Sequence, residues 1–130
     1  MANRPKPVVR SMHSAPAAQV DGTRGTKIQV LLGPDDGVPN FVTRRFTLEP
    51  GARIPSHRHD AIEHEQVMLE GEMVLGLDDE IVTVRAGDCV FIPAGTAHWY
   101  ENRGDAPVRF LCIVPRTEDY QSEWLEPPIE

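Results

Sequence analysis

The stretch Gly51-Ala52-Arg53-Ile54-Pro55-Ser56-His57-Arg58-His59-Asp60-Ala61-Ile62-Glu63-His64, closed by Gly71, decides how this chain is read. Together with a later counterpart, Gly87-x5-Pro93-x-Gly95-x2-His98-x3-Asn102, it carries four of the five histidines. In an extended strand alternate side chains share a face, so His57 and His59 point one way while Arg58 points the other. His-x-His is therefore a two-donor clip. Neutral imidazole serves most divalent transition metals, and a site needs several such lone pairs converging on one point. A third donor follows at either Glu63 or His64. His98, just past a Pro-x-Gly turn, can return from a distant strand to the same point. His13, alone in the N-terminal segment, reads as an ordinary residue.

Outward from these clusters the chain is a series of short apolar runs, rich in Val, Ile, Phe and Leu. The runs are Lys27 to Leu32, Phe41 to Leu48, Glu65 to Glu70, Glu72 to Leu77, Ile81 to Val84, Asp88 to Ile92, Trp99 to Glu101 and Val108 to Val114. Turn-forming groups such as Gly33-Pro34-Asp35-Asp36-Gly37, Glu49-Pro50-Gly51, Glu70-Gly71-Glu72 and Ala86-Gly87-Asp88 separate them. Regular short strands with such punctuation predict an all-β sandwich or barrel with no helix between the strands. Residues 1–24, with Pro5, Pro7 and Pro16, read as an extended arm that lies across another surface. Residues 25–116 form the barrel. Residues 117–130 form a tail with one expected helical turn over Glu118 to Trp124, and Trp124 is expected to pack on the barrel or on a neighbouring subunit.

At 130 residues the chain suits one domain. Its 20 acidic and 13 basic side chains leave a formal charge of -7, which repels phosphate backbones and anionic lipid surfaces. Nucleic acid is not expected as a partner on that ground. No apolar run approaches the ~18 residues of a membrane span and no signal-peptide core is present, so a cytoplasmic protein is expected, with no membrane partner. The two cysteines, Cys89 and Cys112, fall inside apolar runs and are expected to be free, buried thiols.

The two histidine-bearing motifs resemble those of the cupins, and the likeness extends over roughly residues 24–116. That resemblance implies a cupin (double-stranded β-helix, jelly-roll) barrel. Cupins keep six residues between the third ligand and the following glycine, which selects His64 over Glu63; parity agrees, since His64, Gln66 and Met68 then share one face. The implied ligand set is His57, His59, His64 and His98 around one divalent transition metal, manganese first, with iron, copper, nickel or zinc as alternatives. Arg24-Gly25, Val30-Leu31-Leu32-Gly33, Pro39-Asn40-Phe41-Val42, Phe46-Thr47-Leu48-Glu49-Pro50-Gly51, Glu63-His64-Glu65 and Phe110-Leu111-Cys112-Ile113-Val114-Pro115 are similar to small single-domain cupins with four-histidine manganese sites. Those relatives are homodimers in which an N-terminal strand joins the partner's sheet. This chain departs from them by one extra residue between His59 and His64.

Along the last strand Arg109 marks the outward face, so Phe110 and Cys112 are expected to line the cavity, joined by Gln66 and Met68, with Trp99 capping its mouth. Parity sets Glu63 and Glu65 off the metal face. The resemblance implies a manganese- or iron-dependent oxidoreductase, a dioxygenase cleaving a small organic substrate. The absence of Lys or Tyr near the motifs is consistent with metal-centred work. A Lewis-acid lyase or isomerase acting on a carbonyl is the alternative. A non-catalytic metabolite- or metal-binding module is the third reading, and the lack of an attached effector segment counts against a sensor.

Overall fold

The structure, a computed structural model, describes residues 4–130. Ten strands follow in order: β1 (Ala17–Gln19), β2 (Arg24–Leu32), β3 (Phe41–Arg58), β4 (His64–Glu70), β5 (Glu72–Leu77), β6 (Glu80–Arg85), β7 (Cys89–Ile92), β8 (His98–Glu101), β9 (Val108–Pro115) and β10 (Glu123–Trp124). The only helical pieces among the described residues are 3₁₀ turns at Met12–Ser14 and Pro34–Asp36. Among the described residues no helix is long and apolar enough to cross a membrane. Every strand pairing is antiparallel, and the sheet runs β6-β5-β8-β3-β9-β4-β7, with β2 and β10 on the other edge of β3.

The long strand β3 curls this sheet into a barrel. Its first half pairs with β2 and β9, from Phe41↔Pro115 to Leu48↔Val108; its second half pairs with β8 and β10. Between the halves lies Glu49-Pro50-Gly51, which the sequence marks as the end of a strand. Instead the strand continues through it, with a register shift against β2 between Leu48 and Arg53. Gly51 takes φ +82°, a left-handed conformation that only glycine adopts freely, and bends the strand while its N–H donates to Asn102 O at 2.9 Å. The Asn102 side chain holds the same corner, donating to Leu48 O and Ala106 O. The second motif's terminal asparagine is thus a corner brace.

Cross-strand rows grade from cavity to core. Arg44, Cys112 and Gln66 form one row across β3, β9 and β4; Phe46, Phe110 and Met68 form the next; Leu48 and Val108 lie beyond. Leu48, Met68, Met73, Leu75, Val108 and Phe110 make the centre of the buried core. Gly71 needs its small side chain, because a Cβ there would lie 2.6 Å from Pro107 O.

The N-terminal segment crosses this chain's own sheet. β1 pairs with β2, Gln29 Nε2 donates to the Met12 and Ala15 carbonyls, and Arg10 pairs with Asp36. Two expectations are corrected. The tail forms no helical turn at Glu118 to Trp124: its backbone is drawn into an edge pairing with β3, Glu123↔Arg58 and Trp124↔His57, reinforced by Arg58–Glu123 and Arg53–Glu126 ion pairs. Cys89 is exposed while Cys112 is buried, because Cys89 sits on the outward parity of the edge strand β7; both are free.

Candidate metal centre

His57 occupies the last turn of the β3 alternation and His59 sits just beyond it, both buried, with Arg58 between them turned outward. The Gly95 N–H donates to His59 O, tying the Pro-x-Gly turn of the second motif to the first. His98 opens β8 directly opposite His57, and their ring centroids are 4.2 Å apart. Ligand nitrogens of His57, His59 and His98 all lie within 4.8 Å of one another. His64 opens β4 on the facing wall, its ring centroid 5.0 Å from that of His59 and 5.2 Å from that of His98. The structure therefore draws three imidazoles into one tight group with the fourth alongside.

Backbone carbonyls set the tautomers. Nδ1–H of His57 donates to Pro55 O at 2.8 Å, that of His98 to Thr96 O at 2.9 Å, and that of His59 to Gln121 O at 3.0 Å. Each such bond leaves Nε2 as the lone-pair donor, the arrangement by which outer partners orient metal-binding imidazoles. His64 Nδ1 is buried with no partner, and its Nε2 faces the Tyr120 hydroxyl at 3.5 Å. Burial, with the neighbouring imidazoles adding to it, pushes His57 down to about 4, His98 to about 3 and His64 to about 2, and burial lowers His59 as well. Four uncharged imidazoles with their lone pairs available fit a transition metal.

The cluster opens into a cavity of about 220 Å³. Of the residues expected to line it, Gln66, Phe110 and Cys112 do so. Met68 does not: it lies one row deeper, opposite Phe110, and belongs to the core. Trp99 does not either. It has the outward parity of β8, lies over Gly76, where a Cβ would sit 1.9 Å from its ring nitrogen, and stacks on the Arg53 guanidinium. Val114 is likewise part of the core, and Glu63 and Glu65 are exposed on the outer face.

Sequence reasoning missed Arg44, Tyr100, Tyr120 and Trp124, all of which line the cavity. The expectation that no tyrosine stands near the motifs is overturned. Tyr100 follows His98 by two residues and so shares its face; parity could have found it. Arg44 was legible in Phe41-Val42-Thr43-Arg44-Arg45-Phe46, since two successive arginines on a strand must face opposite ways and Arg44 shares the parity of Phe46 and Leu48. Tyr120 and Trp124 come from the tail, which carries no periodic signal. Trp124 lies with its ring centroid 5.4 Å from His57, and Tyr120 lies 4.9 Å from His59. Phe46, Phe110 and Tyr100 stack successively, at 5.3 and 5.5 Å, into an aromatic wall.

A β-barrel with an imidazole cluster at one end of its core defines the class of protein. The chain matches the cupin domain family over residues 44–114, more than half its length, and belongs to that family. It is similar to an uncharacterized protein of Methanocaldococcus jannaschii, 37% identical over 90 residues that cover 68% of this chain and 71% of that protein. It is also similar to the oxalate-binding protein of Thermotoga maritima, 31% identical over 112 residues, 82% of this chain and 92% of that protein. Among solved structures it is similar to the polyketide cyclase RemF from Streptomyces resistomycificus, with a TM-score of 0.85 and 27% identity, covering 93% of this chain and 87% of that one.

Proposed function

We propose that this chain is a metal-dependent enzyme in which His57, His59, His64 and His98 hold one divalent transition metal, manganese first, and which acts on a small, oxygen-rich organic molecule. The observation that carries this reading is the set of three imidazoles whose Nδ1–H groups are each committed to a backbone carbonyl, with ligand nitrogens within 4.8 Å of one another beside a cavity. When bound, the metal supplies a Lewis acid for a carbonyl or carboxylate oxygen. Phe46, Phe110 and Ile54 keep that region dry, which strengthens polar contacts made inside it. Burial raises the Tyr100 hydroxyl well above its ordinary range, so it remains protonated and serves as a hydrogen-bond donor. Tyr120, within 3.5 Å of His64 Nε2, is the side chain best situated to exchange a proton with a substrate oxygen.

Lewis-acid chemistry on a carbonyl or enolate takes first position because Tyr120 is situated for proton exchange and Tyr100 for hydrogen-bond donation, roles that redox chemistry does not need. Likeness to a polyketide cyclase and an oxalate-binding protein supports a substrate rich in carbonyl or carboxylate oxygens. Oxidative cleavage by manganese or iron with dioxygen is the second reading, favoured by the dry aromatic wall of Phe46, Phe110 and Tyr100. Elemental analysis of protein purified without added metal, followed by turnover of diketones and hydroxy acids with and without oxygen, tests both. Oxygen-independent turnover supports the first reading and an oxygen requirement the second; protein without stoichiometric metal refutes both.

A further inference from the structure

Arg44 brings a positive charge into the cavity and makes no ion pair with a carboxylate, although Asp21 also lines that cavity. Every ion pair among the described residues uses other arginines: Arg10, Arg53, Arg58, Arg85, Arg103 and Arg109. The neighbouring Arg45 is different, since it turns to the other face of β3 and is satisfied by Gln29 Oε1 at 2.8 Å beneath the N-terminal segment. Arg44 has only neutral partners, Cys112 Sγ at 3.1 Å from Nη2 and the Tyr120 hydroxyl at 3.3 Å from Nη1, with the Phe46 and Tyr120 rings facing it at 5.2 and 5.5 Å. Its Nε is buried with no acceptor. A half-buried guanidinium whose buried Nε–H is unused and whose other donors meet only neutral groups is costly unless an anion meets it.

We infer that Arg44 is the specificity-determining anchor for an anionic group of the substrate, a carboxylate or enolate, held between β3 and the imidazole cluster. The Tyr120 hydroxyl stands between the two, 3.3 Å from Arg44 and 3.5 Å from His64 Nε2, so an anion gripping the guanidinium lies within one hydroxyl's reach of the histidines. A planar guanidinium presents paired donors that match a carboxylate, which a neutral isostere cannot exploit. Tyr100 adds to the same preference: its oxygen accepts from Gln66 Nε2 at 2.7 Å, leaving its proton for a ligand acceptor. The inference rests on the proposed metal-dependent site but is separable from it by experiment.

The test is calorimetric binding of oxalate and benzoate, each beside its neutral amide, to the metal-loaded full chain and to its Arg44→Met and Arg44→Lys variants, with metal content measured on the same samples. The expected result is carboxylate binding to wild type, little amide binding, at least a tenfold loss of carboxylate affinity in Arg44→Met and partial retention in Arg44→Lys, all at unchanged metal content. Equal carboxylate affinity in Arg44→Met and wild type overturns the inference, as does failure of wild type to bind either carboxylate. Should Arg44→Met fail to fold, an affinity in Arg44→Lys equal to that of wild type and shared by the amides overturns it too. Lack of metal in wild type counts against the proposed function alone, since an Arg44-dependent carboxylate preference in metal-free protein still upholds the anchor.

Discussion

The His57 and His98 rings lie 4.2 Å apart, centroid to centroid, as register partners on β3 and β8. A backbone ladder thus sets the separation of two donors from opposite halves of the chain. Removing either one takes a preset lone pair from the centre. His57→Ala and His98→Ala are each expected to lower metal affinity at least tenfold, measured by competition with a chelator. His64→Ala is expected to weaken binding as well, and Glu63→Gln to leave it unchanged, because Glu63 is exposed on the outer face. The reverse order would transfer the third ligand to Glu63.

Metal-free protein should lose stability as pH falls below about 6.5. The folded-state values for His57, His98 and His64, about 4, 3 and 2, lie below the ordinary 6.5, chiefly through burial. Between 6.5 and about 4 the unfolded chain therefore binds protons that the folded chain refuses, and each such imidazole costs about 1.4 kcal/mol of stability per pH unit. Above 6.5 these groups contribute no slope. Denaturant midpoints recorded from pH 8 to pH 4 check this, and His98→Phe should flatten the curve; a level profile from 7 to 5 is incompatible with buried neutral imidazoles.

Trp124 should report metal binding. Its ring is 5.4 Å from His57, whereas Trp99 lies on the outward parity of β8 over Gly76. Adding manganese is expected to change tryptophan fluorescence in wild type and Trp99→Phe but not in Trp124→Phe. A response lost instead in Trp99→Phe would place the tail away from the centre.

Phe110→Ala removes the middle ring of the Phe46–Phe110–Tyr100 stack, a side chain that is 1% exposed. A loss of about 3–5 kcal/mol in unfolding free energy is expected from the cavity created. Phe91→Ala, on a side chain 57% exposed, should change stability by less than about 0.5 kcal/mol in the monomer.

The homodimer implied by resemblance has a testable surface. Phe41, 68% exposed, and Phe91 lie on the outer face of the sheet, linked across it by Ile113 and Glu65. Exposed apolar side chains gathered on one sheet face mark an association surface. Sedimentation is expected to give a dimer for wild type and a monomer for Phe41→Asp with Phe91→Asp.

The sequence by itself determined the strand content and the histidine pattern, because these are local: period-two alternation, turn chemistry and short spacings are written between near neighbours, and the two motifs carried the resemblance to the cupin fold. Gln66, Phe110 and Cys112, chosen by parity, line the cavity. Tertiary structure decided what depends on neighbours far apart in the chain. It turned Glu49-Pro50-Gly51 from a strand end into a corner, because Asn102, brought up from the second motif, continues the ladder there. It moved Met68 into the core, since parity gives a side but not the depth along the barrel; Trp99 lies on the outer face, as its place next to His98 on β8 already requires. Tyr120 and Trp124 reach the histidines only because the aperiodic tail pairs with the edge of β3. Arg44 was visible as a residue, but its unpaired charge is a property of everything packed around it.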